Sequence, residues 1–214
     1  MKILITSGAT REPVDDVRFI SNLSTGATGA ALADALATRG HEVTLLHGTS
    51  AVLPQQVRDL QAFSSAKDLH EKLKGLLPGG GYGAVIQCAA VADYTPARVP
   101  HGKISSQRKA LTLRLVPVPK ILPQIKAFGR GGAEPLVVGF KLTAGADRPR
   151  REAEVARLWV AGTVDAVIHN DLDNLADNRT RPFRAYVAGR ARPQLLAGVE
   201  ALAEWLHEFV SRVG

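Results

Sequence analysis

Arg18 and Asn22 lie four residues apart in a polar stretch, Ile5–Gly29, that starts at the end of an apolar run and stops where a helix pattern begins. If this part is helical, the two side chains share a face. Asn22 can equally serve as a helix cap. Gly8 ends the apolar run, and Gly26 and Gly29 open the helix pattern. Strand, glycine turn and helix together offer backbone N–H groups to a phosphate, though such glycines can also simply let strand and helix pack closely. Asp93 follows a second apolar run, Ala84–Ala90. An acid there can bind a ribose hydroxyl or a metal, or cap the next turn. Lys103 sits in a glycine- and proline-bearing loop, where it is either a mobile phosphate clamp or a solvated cation. The shared chemistry is the handling of phosphorylated ligands. A plain dinucleotide fold joins its first strand to its first helix in a few residues. The long polar insertion between Gly8 and Gly26 is therefore where chemistry is expected.

These residues need a frame to bring them together. Apolar runs predict strands over Lys2–Thr6, Glu42–His47, Val57–Ala62, Ala84–Ala90, Leu111–Val116, Leu136–Lys141, Ala166–His169 and a last one over Phe183–Val187. Helices are predicted over Gly29–Arg39, Ala66–Leu77, Pro119–Phe128, Arg150–Ala161 and Pro193–Val210. Tyr94–Ala110 reads as a mobile loop and Asp171–Pro182 as a polar one. The alternation predicts a Rossmann-like α/β fold of three layers, a mostly parallel central sheet with helices on both faces, in one domain spanning 1–214. In such sheets ligands bind beyond the carboxyl ends of the strands. Gly8, Ala89–Asp93, Phe140-Lys141 and Asn170-Asp171 should then share one rim.

Composition narrows the chemistry further. The single cysteine, Cys88, excludes a disulfide framework and a cysteine-rich metal site, and its apolar setting suits a buried thiol. The six histidines show no metal-ligand spacing, and no protein-held metal site is predicted. No run approaches the ~20 apolar residues of a membrane span, and the N-terminus reads straight into a strand, so a cytoplasmic protein without membrane partners is expected. Net charge is +7, but the basic residues are scattered and aromatics are only 5%. Small anionic substrates fit this better than nucleic acid. The second strand ends Leu45-Leu46-His47-Gly48, without the acid that holds the ribose of NAD. An NADP-linked reductase of the short-chain type needs Tyr-x-x-x-Lys. Tyr82, Tyr94 and Tyr186 are followed four residues later by Ile86, Arg98 and Arg190.

Several segments, in order along the chain, resemble the phosphopantothenate–cysteine ligase family (phosphopantothenoylcysteine synthetase). ITSGATREPVDDVRFISNLSTGATG over Ile5–Gly29 is similar to that family's ITSGGTREPID-x-VR-[FY]-ISN-x-SSG-x-x-G. Ala89–Pro96 is similar to AAVADY-x-P, Lys103–Ser106 to a lysine loop, Val118–Leu122 to N-P-D-I-L, Val138–Phe140 to V-G-F, and Ile168–Asp171 to VAND. The resemblance implies ATP- or CTP-dependent joining of 4′-phosphopantothenate to L-cysteine through an acyl-nucleotidylate, in coenzyme A synthesis, with Mg²⁺ accompanying the triphosphate. It implies that Asn22 polarises the acyl-nucleotidylate, that Arg18 holds an anionic group nearby, and that Lys103 stabilises the triphosphate transition state. Asp93 would bind the ribose, Ala89 would contact the nucleotide through its backbone, and Phe140 would flank the base. Gly8, Gly26 and Gly29 would let backbone approach phosphate. Pro119, Lys120, Ile121, Leu122 and Arg157 would complete the nucleotide contacts. A homodimer and a free-standing ligase, without a fused flavin-binding domain, are also implied. The chain departs from the family pattern at Ala27, Ser105, Ser106 and Ala161, which stand where lysines are usual, and at Lys120, which stands where an aspartate is usual. A diverged paralogue that ligates another acid is the neighbouring alternative.

Overall fold

In the computed structural model, residues 1–214 are described except 108, 130–133, 160–161, 175–180, 191 and 213–214. The expected position Ala161 and much of the Asp171–Pro182 loop lie outside the described residues.

The strands form where both neighbours bury them. In β1 (Lys2–Ser7), Ile3 and Ile5 face one side of the sheet and Leu4 the other, and all three are fully buried. The same two-sided burial explains the continuous apolar runs of β6 (Ala84–Gln87), β9 (Leu136–Thr143) and β10 (Ala166–Asp171). With β4 (Glu42–Gly48), β5 (Asp59–Phe63), β11 (Pro182–Val187) and β12 (Gln194–Ala197) they form one eight-stranded sheet, ordered β12-β11-β10-β9-β6-β1-β4-β5. From β5 to β10 every pairing is parallel, while β11 and β12 run antiparallel at one edge. Helices α1 (Ala27–Thr38) and α5 (Gly198–Ser211) cover one face. Helices α2 (Ala66–Leu76), α3 (Ile125–Phe128) and α4 (Arg148–Ala156) lie on the other. The expected three-layer fold is the one observed.

Several boundaries differ from expectation. The insertion after β1 is not helical. It folds as a hairpin of β2 (Arg11–Pro13) and β3 (Phe19–Ser21), so Arg18 and Asn22 do not share a helix face. The Tyr94–Ala110 loop is not wholly irregular. Its start, β7 (Tyr94–Pro96), pairs with β8 (Leu115–Pro117) in a second small hairpin, and the predicted Leu111–Val116 strand shrinks to that piece and stays out of the main sheet. Pro119 precedes the short helical segment, which begins as a 3₁₀ turn at Leu122–Gln124. The closing helix starts later than predicted, because Gln194–Ala197 pairs with β11 as an edge strand.

Candidate active site

The strand order reverses at β1, since β4 and β5 lie on one side of it and β6, β9 and β10 on the other. A crevice at the carboxyl ends of β1 and β6 is the place such a reversal leaves for a ligand. The two loops that leave these strands are tied together there. Ala90 N–H donates to the Gly8 carbonyl (2.8 Å), Thr10 N–H to the Ala90 carbonyl (3.2 Å), and Ala92 N–H to Thr10 Oγ1 (3.0 Å). Ala89 N–H donates to Thr6 Oγ1 at 3.1 Å, so its backbone donor is already engaged.

The glycines answer a packing demand. Gly29 faces β1, where a Cβ would stand 2.6 Å from Ser7 Cβ. Gly26 (φ +77°) is the N-cap of α1 and its carbonyl accepts from Ser7 Oγ at 2.8 Å. Gly8 (φ +80°) adopts the left-handed conformation that favours glycine, and a Cβ there would stand 2.6 Å from Ala51 Cβ. The helix consequently starts hard against the end of β1. Gly26 has no side chain to cap α1, Thr25 Oγ1 accepts from Ala27 N–H at 3.4 Å instead, and the first turn carries no acid.

The insertion hairpin is fastened at both ends. Arg11 N–H donates to the Ser64 carbonyl at 2.8 Å, and the buried Glu12 carboxylate accepts from Ala66 N–H at 2.9 Å, at the first residue of α2. At the hairpin tip Asp15 is 3% exposed. Its carboxylate accepts from the N–H groups of Val17 (3.0 Å) and Arg18 (2.8 Å), from Arg18 Nε (3.0 Å), and from Ile104 N–H (3.0 Å). The Ile104 N–H above all, with Val17 and Arg18 beside it, outweighs burial and holds the Asp15 carboxyl at about 2. Arg18 also donates to the Ile104 carbonyl, and Asp16 accepts from Gly102 N–H at 2.6 Å. The loop carrying Lys103 is therefore latched on both sides of that lysine to the insertion. Lys103 itself is exposed.

Asn22 follows β3. Its amide nitrogen reaches the carbonyls of Ala90 and Val91, each at 3.3 Å, which sets the carboxamide over the loop that follows β6. Asp93 lies on that same loop and pairs with Lys120. Val118 N–H donates to the Asp93 carbonyl at 2.9 Å, so the segment from Pro119 onwards is drawn to the same rim. Ile121 is buried and Leu122 packs on Gly139, where a Cβ would stand 2.8 Å from Leu122 Cδ2, so these two are chiefly core residues. Phe140, half-buried, is three residues short of the end of β9 and packs with the α1/α5 face. Arg157 closes α4 and pairs with Glu154, which also receives Lys141 Nζ at 2.7 Å. Lys141 is the main cause of the lowered Glu154 pKa.

At the end of β10 a buried polar web was not foreseen. Thr143 Oγ1 donates to Asp171 and lies 2.8 Å from His169 Nε2, so that nitrogen carries the proton. Burial first, and then the charges of Arg151 and Arg184, push His169 down to about 4. Asp171 accepts further from the N–H groups of Gly145 (3.0 Å), Ala146 (3.2 Å) and Asp173 (3.1 Å). Burial acts to raise its pKa, but the Thr143 hydroxyl and these three N–H groups hold it at about 2. Cys88 is half-buried, and enclosure of its thiol pushes it up to about 12, so it is no nucleophile at neutral pH. Among the described residues no three His, Cys, Asp or Glu side chains gather to hold a metal. None of the described helices is long and apolar enough to cross a membrane.

Asn22, Asp93, Lys103 and the glycine turn thus share one rim, whereas Arg157 belongs to the α4 side and Phe140, half-buried, packs on the α1/α5 face of β9. The missed residues are Asp15 and Asp16, whose acidity in the insertion was visible but whose partners 86 to 89 residues away were not.

Over residues 1–181 the chain matches the family described as DNA/pantothenate metabolism flavoprotein C-terminal domain. It is 35% identical over 173 residues to the Coenzyme A biosynthesis bifunctional protein CoaBC of Thermococcus kodakarensis, covering 77% of this chain and 42% of that protein. It is 28% identical over 219 residues to the CoaBC of Haemophilus influenzae, covering 99% and 52%. The chain thus spans about half of these relatives or less. The DNA/pantothenate metabolism flavoprotein of Streptococcus pneumoniae superposes with a TM-score of 0.85 at 27% identity, covering 100% of both chains. A Cab2 mutant in complex with phosphopantothenate-cysteine shares the fold, with a TM-score of 0.73 at 20% identity and 99% and 87% coverage. By the extent of the family match and the identity to its relatives, this chain belongs to the DNA/pantothenate metabolism flavoprotein C-terminal domain family.

Proposed function

We propose that this chain joins 4′-phosphopantothenate to L-cysteine at the expense of CTP or ATP, through an acyl-nucleotidylate, as a ligase of coenzyme A synthesis in the cytoplasm. The observation that carries the reading is the rim itself. The glycine turn, Asn22, Asp93 and the latched Lys103 loop converge at the switch point, in a family whose curated relatives are coenzyme A biosynthesis proteins.

Both half-reactions build negative charge, first on phosphate oxygens and then on the acyl oxygen, and fixed donors lower both barriers. Lys103 brings a cation on a loop whose backbone is pinned beside it. Asn22 presents its carboxamide to the acyl oxygen, with its orientation set by the Ala90 and Val91 carbonyls. Arg18 is partly spent on Asp15, so its first service is to hold the loop, and its part-exposed guanidinium edge is left for a substrate anion. Asp93 reaches a ribose hydroxyl only by sharing or releasing Lys120.

Mg²⁺ would supply charge neutralisation of the triphosphate. Asp15 and Asp171 are saturated with donors and Asp93 is ion-paired, so phosphate oxygens rather than a carboxylate cage would hold it. Val17, Phe19, Ile20 and Leu23 in one hairpin region, and Tyr94, Val99, Leu111 and Leu115 in the other, are exposed and apolar. Such a face supports a second copy of this chain as partner, that is, a homodimer, which light scattering would register as twice the mass of one chain.

The deciding assay follows pyrophosphate release across CTP, ATP, GTP and UTP, with and without phosphopantothenate. Release that requires phosphopantothenate, with product only after cysteine is added, is expected. No turnover with any triphosphate would overturn the reading.

A further inference from the structure

Three of the arginines that look scattered in the sequence meet outside the proposed site. A cavity of about 400 Å³ lies between the first half of α4 and the β11–β12 connection, lined by Arg148, Arg151, Glu152, Tyr186, Arg192 and Pro193. Strand alternation places its floor. Phe183 and Ala185 are buried towards α1 and α5, so Arg184 and Tyr186 face the α4 side of β11. β11 stands four strands from β1 in the sheet, about 19 Å at ordinary strand spacing. The cavity is therefore separate from the rim that carries Asn22, Asp93 and Lys103.

Its lining has donors and positive charge to spare. Arg151 Nε and the Tyr186 hydroxyl are both buried without a hydrogen-bond partner. The one carboxylate in the lining, Glu152, accepts from Arg148 Nε at 2.8 Å. Among the described residues no carboxylate pairs with Arg151 or Arg192. The surplus is felt by the neighbouring strand, where the charges of Arg151 and Arg184 add to burial in lowering His169. Buried donors are costly when idle and are ordinarily met by an acceptor. Planar guanidinium forks beside a phenol hydroxyl match the oxygens of a phosphoryl group.

A second cavity of about 350 Å³ shares Tyr186 with the first. Its walls are mainly apolar, with Trp159, Val164 and Val187. Val164 precedes β10, so this part of the groove lies at the end of that strand opposite the rim. We propose that the groove binds a phosphate monoester with a planar organic body, its phosphoryl oxygens on Arg151, Arg192 and the Tyr186 hydroxyl and its body beside Trp159. The site rests on this geometry and not on the ligase reading.

The test is titration of the full chain with phenyl phosphate and, separately, with inorganic phosphate, read by calorimetry and by tryptophan fluorescence. Phenyl phosphate should bind more tightly than inorganic phosphate and change the emission of Trp159. The other tryptophan, Trp205, is buried on α5 and stacked on Phe209, so Trp159→Phe should abolish the change. Arg151→Met and Arg192→Gln should each weaken phenyl phosphate about tenfold, the scale of one charge-assisted hydrogen bond, and Tyr186→Phe about threefold. Arg212→Gln, which removes the same charge at the end of α5, and Lys103→Gln should bind as wild type does. Should Arg151→Met fail to fold, the exposed Arg192 decides. The proposal is overturned if phenyl phosphate does not bind, if it binds no tighter than inorganic phosphate, or if Arg192→Gln weakens it no more than Arg212→Gln does. Loss of binding in Lys103→Gln would also overturn it, by moving the ligand to the rim. Binding at the groove in a protein that turns over no triphosphate would sink the ligase reading and leave the site standing.

Discussion

Asp15 and Asp171 are alike in burial and in acidity and differ in what they hold together. Each is nearly enclosed, each accepts three backbone N–H groups, and each is held at about 2. Asp15 also faces a cation, Arg18, and one of its N–H donors comes from Ile104, 89 residues away. Asp171 has a neutral side-chain partner, Thr143, and closes the turn between β9 and α4 at the carboxyl end of β10. The same carboxylate device thus does two jobs. At the tip of the insertion it fixes one exposed loop onto another, where the backbone has no ladder to offer. At the end of β10 it satisfies backbone donors that the sheet and the following helix leave over.

The largest expected effect breaks the first of these. Asp15→Asn keeps the shape but loses the charge that binds Arg18 and the full acceptor set for Val17, Arg18 and Ile104. The Lys103 loop is then held by Asp16 and by the Arg18–Ile104 contact alone. Turnover should fall roughly a hundredfold, the scale of an ångström-level misplacement of a catalytic group, with a smaller loss of stability than Asp171→Asn shows, because the tip stands outside the main sheet. Lys103→Gln, which leaves the latch intact, should show a comparable loss confined to the nucleotidyl half-reaction, read from phosphopantothenate-dependent pyrophosphate release. If Asp15→Asn kept wild-type turnover, the latch would have no part in catalysis.

Asp171→Asn should reverse the pattern. The lost acceptor leaves enclosed N–H groups of the β9–α4 turn underserved, at a cost of about 1–3 kcal/mol in stability. Denaturant melts of the two asparagine variants side by side measure the contrast. Equal destabilisation of both would mean that the insertion tip is as much a part of the folding unit as the end of β10.

What the sequence made legible follows the same division. The sheet was readable because its strands are buried on both faces, so Ile3–Ile5, Ala84–Ile86 and Ala166–Ile168 are apolar without a break. The rim followed from the parallel order. The β2–β3 hairpin was not readable. Its strands are three residues long, and Val17, Phe19 and Ile20 are apolar yet exposed, so no alternation marks a buried face. The edge strand β12 was absorbed into the helix that follows it, since Gln194–Ala197 carries one buried residue, Leu196, and an exposed Leu195. Gly8, Gly26 and Gly29 were visible as a phosphate turn, and each has a steric reason to be glycine besides. The latch depends on partners 86 to 89 residues away, a distance at which residue type and spacing carry no signal.

The smallest expected effect uses acid to separate the two regions. His169 belongs to the Asp171 web, and burial holds it at about 4 against an ordinary value near 6.5. The unfolded chain therefore takes up a proton that the folded chain refuses. The stability this contributes is complete above about pH 6.5 and is lost as pH falls from there towards 4. Asp15 and Asp171 act lower down. Their depressed values contribute stability above the ordinary carboxyl value near 3.9, and that is lost as pH falls from there towards about 2. Of these two regions, the end of β10 should weaken between pH 6.5 and 4, while the insertion latch should hold until the carboxylates titrate. Hydrogen exchange resolved by peptide should show β9 and β10 losing protection in that window while residues 11–22 and 102–104 do not. His169→Gln should flatten the fall in melting temperature over the same range. A variant that kept the wild-type slope would place the acid-sensitive group outside the web behind Asp171, with His41, whose pKa burial also lowers, the next candidate, and an insertion that opened first would place it in the hairpin.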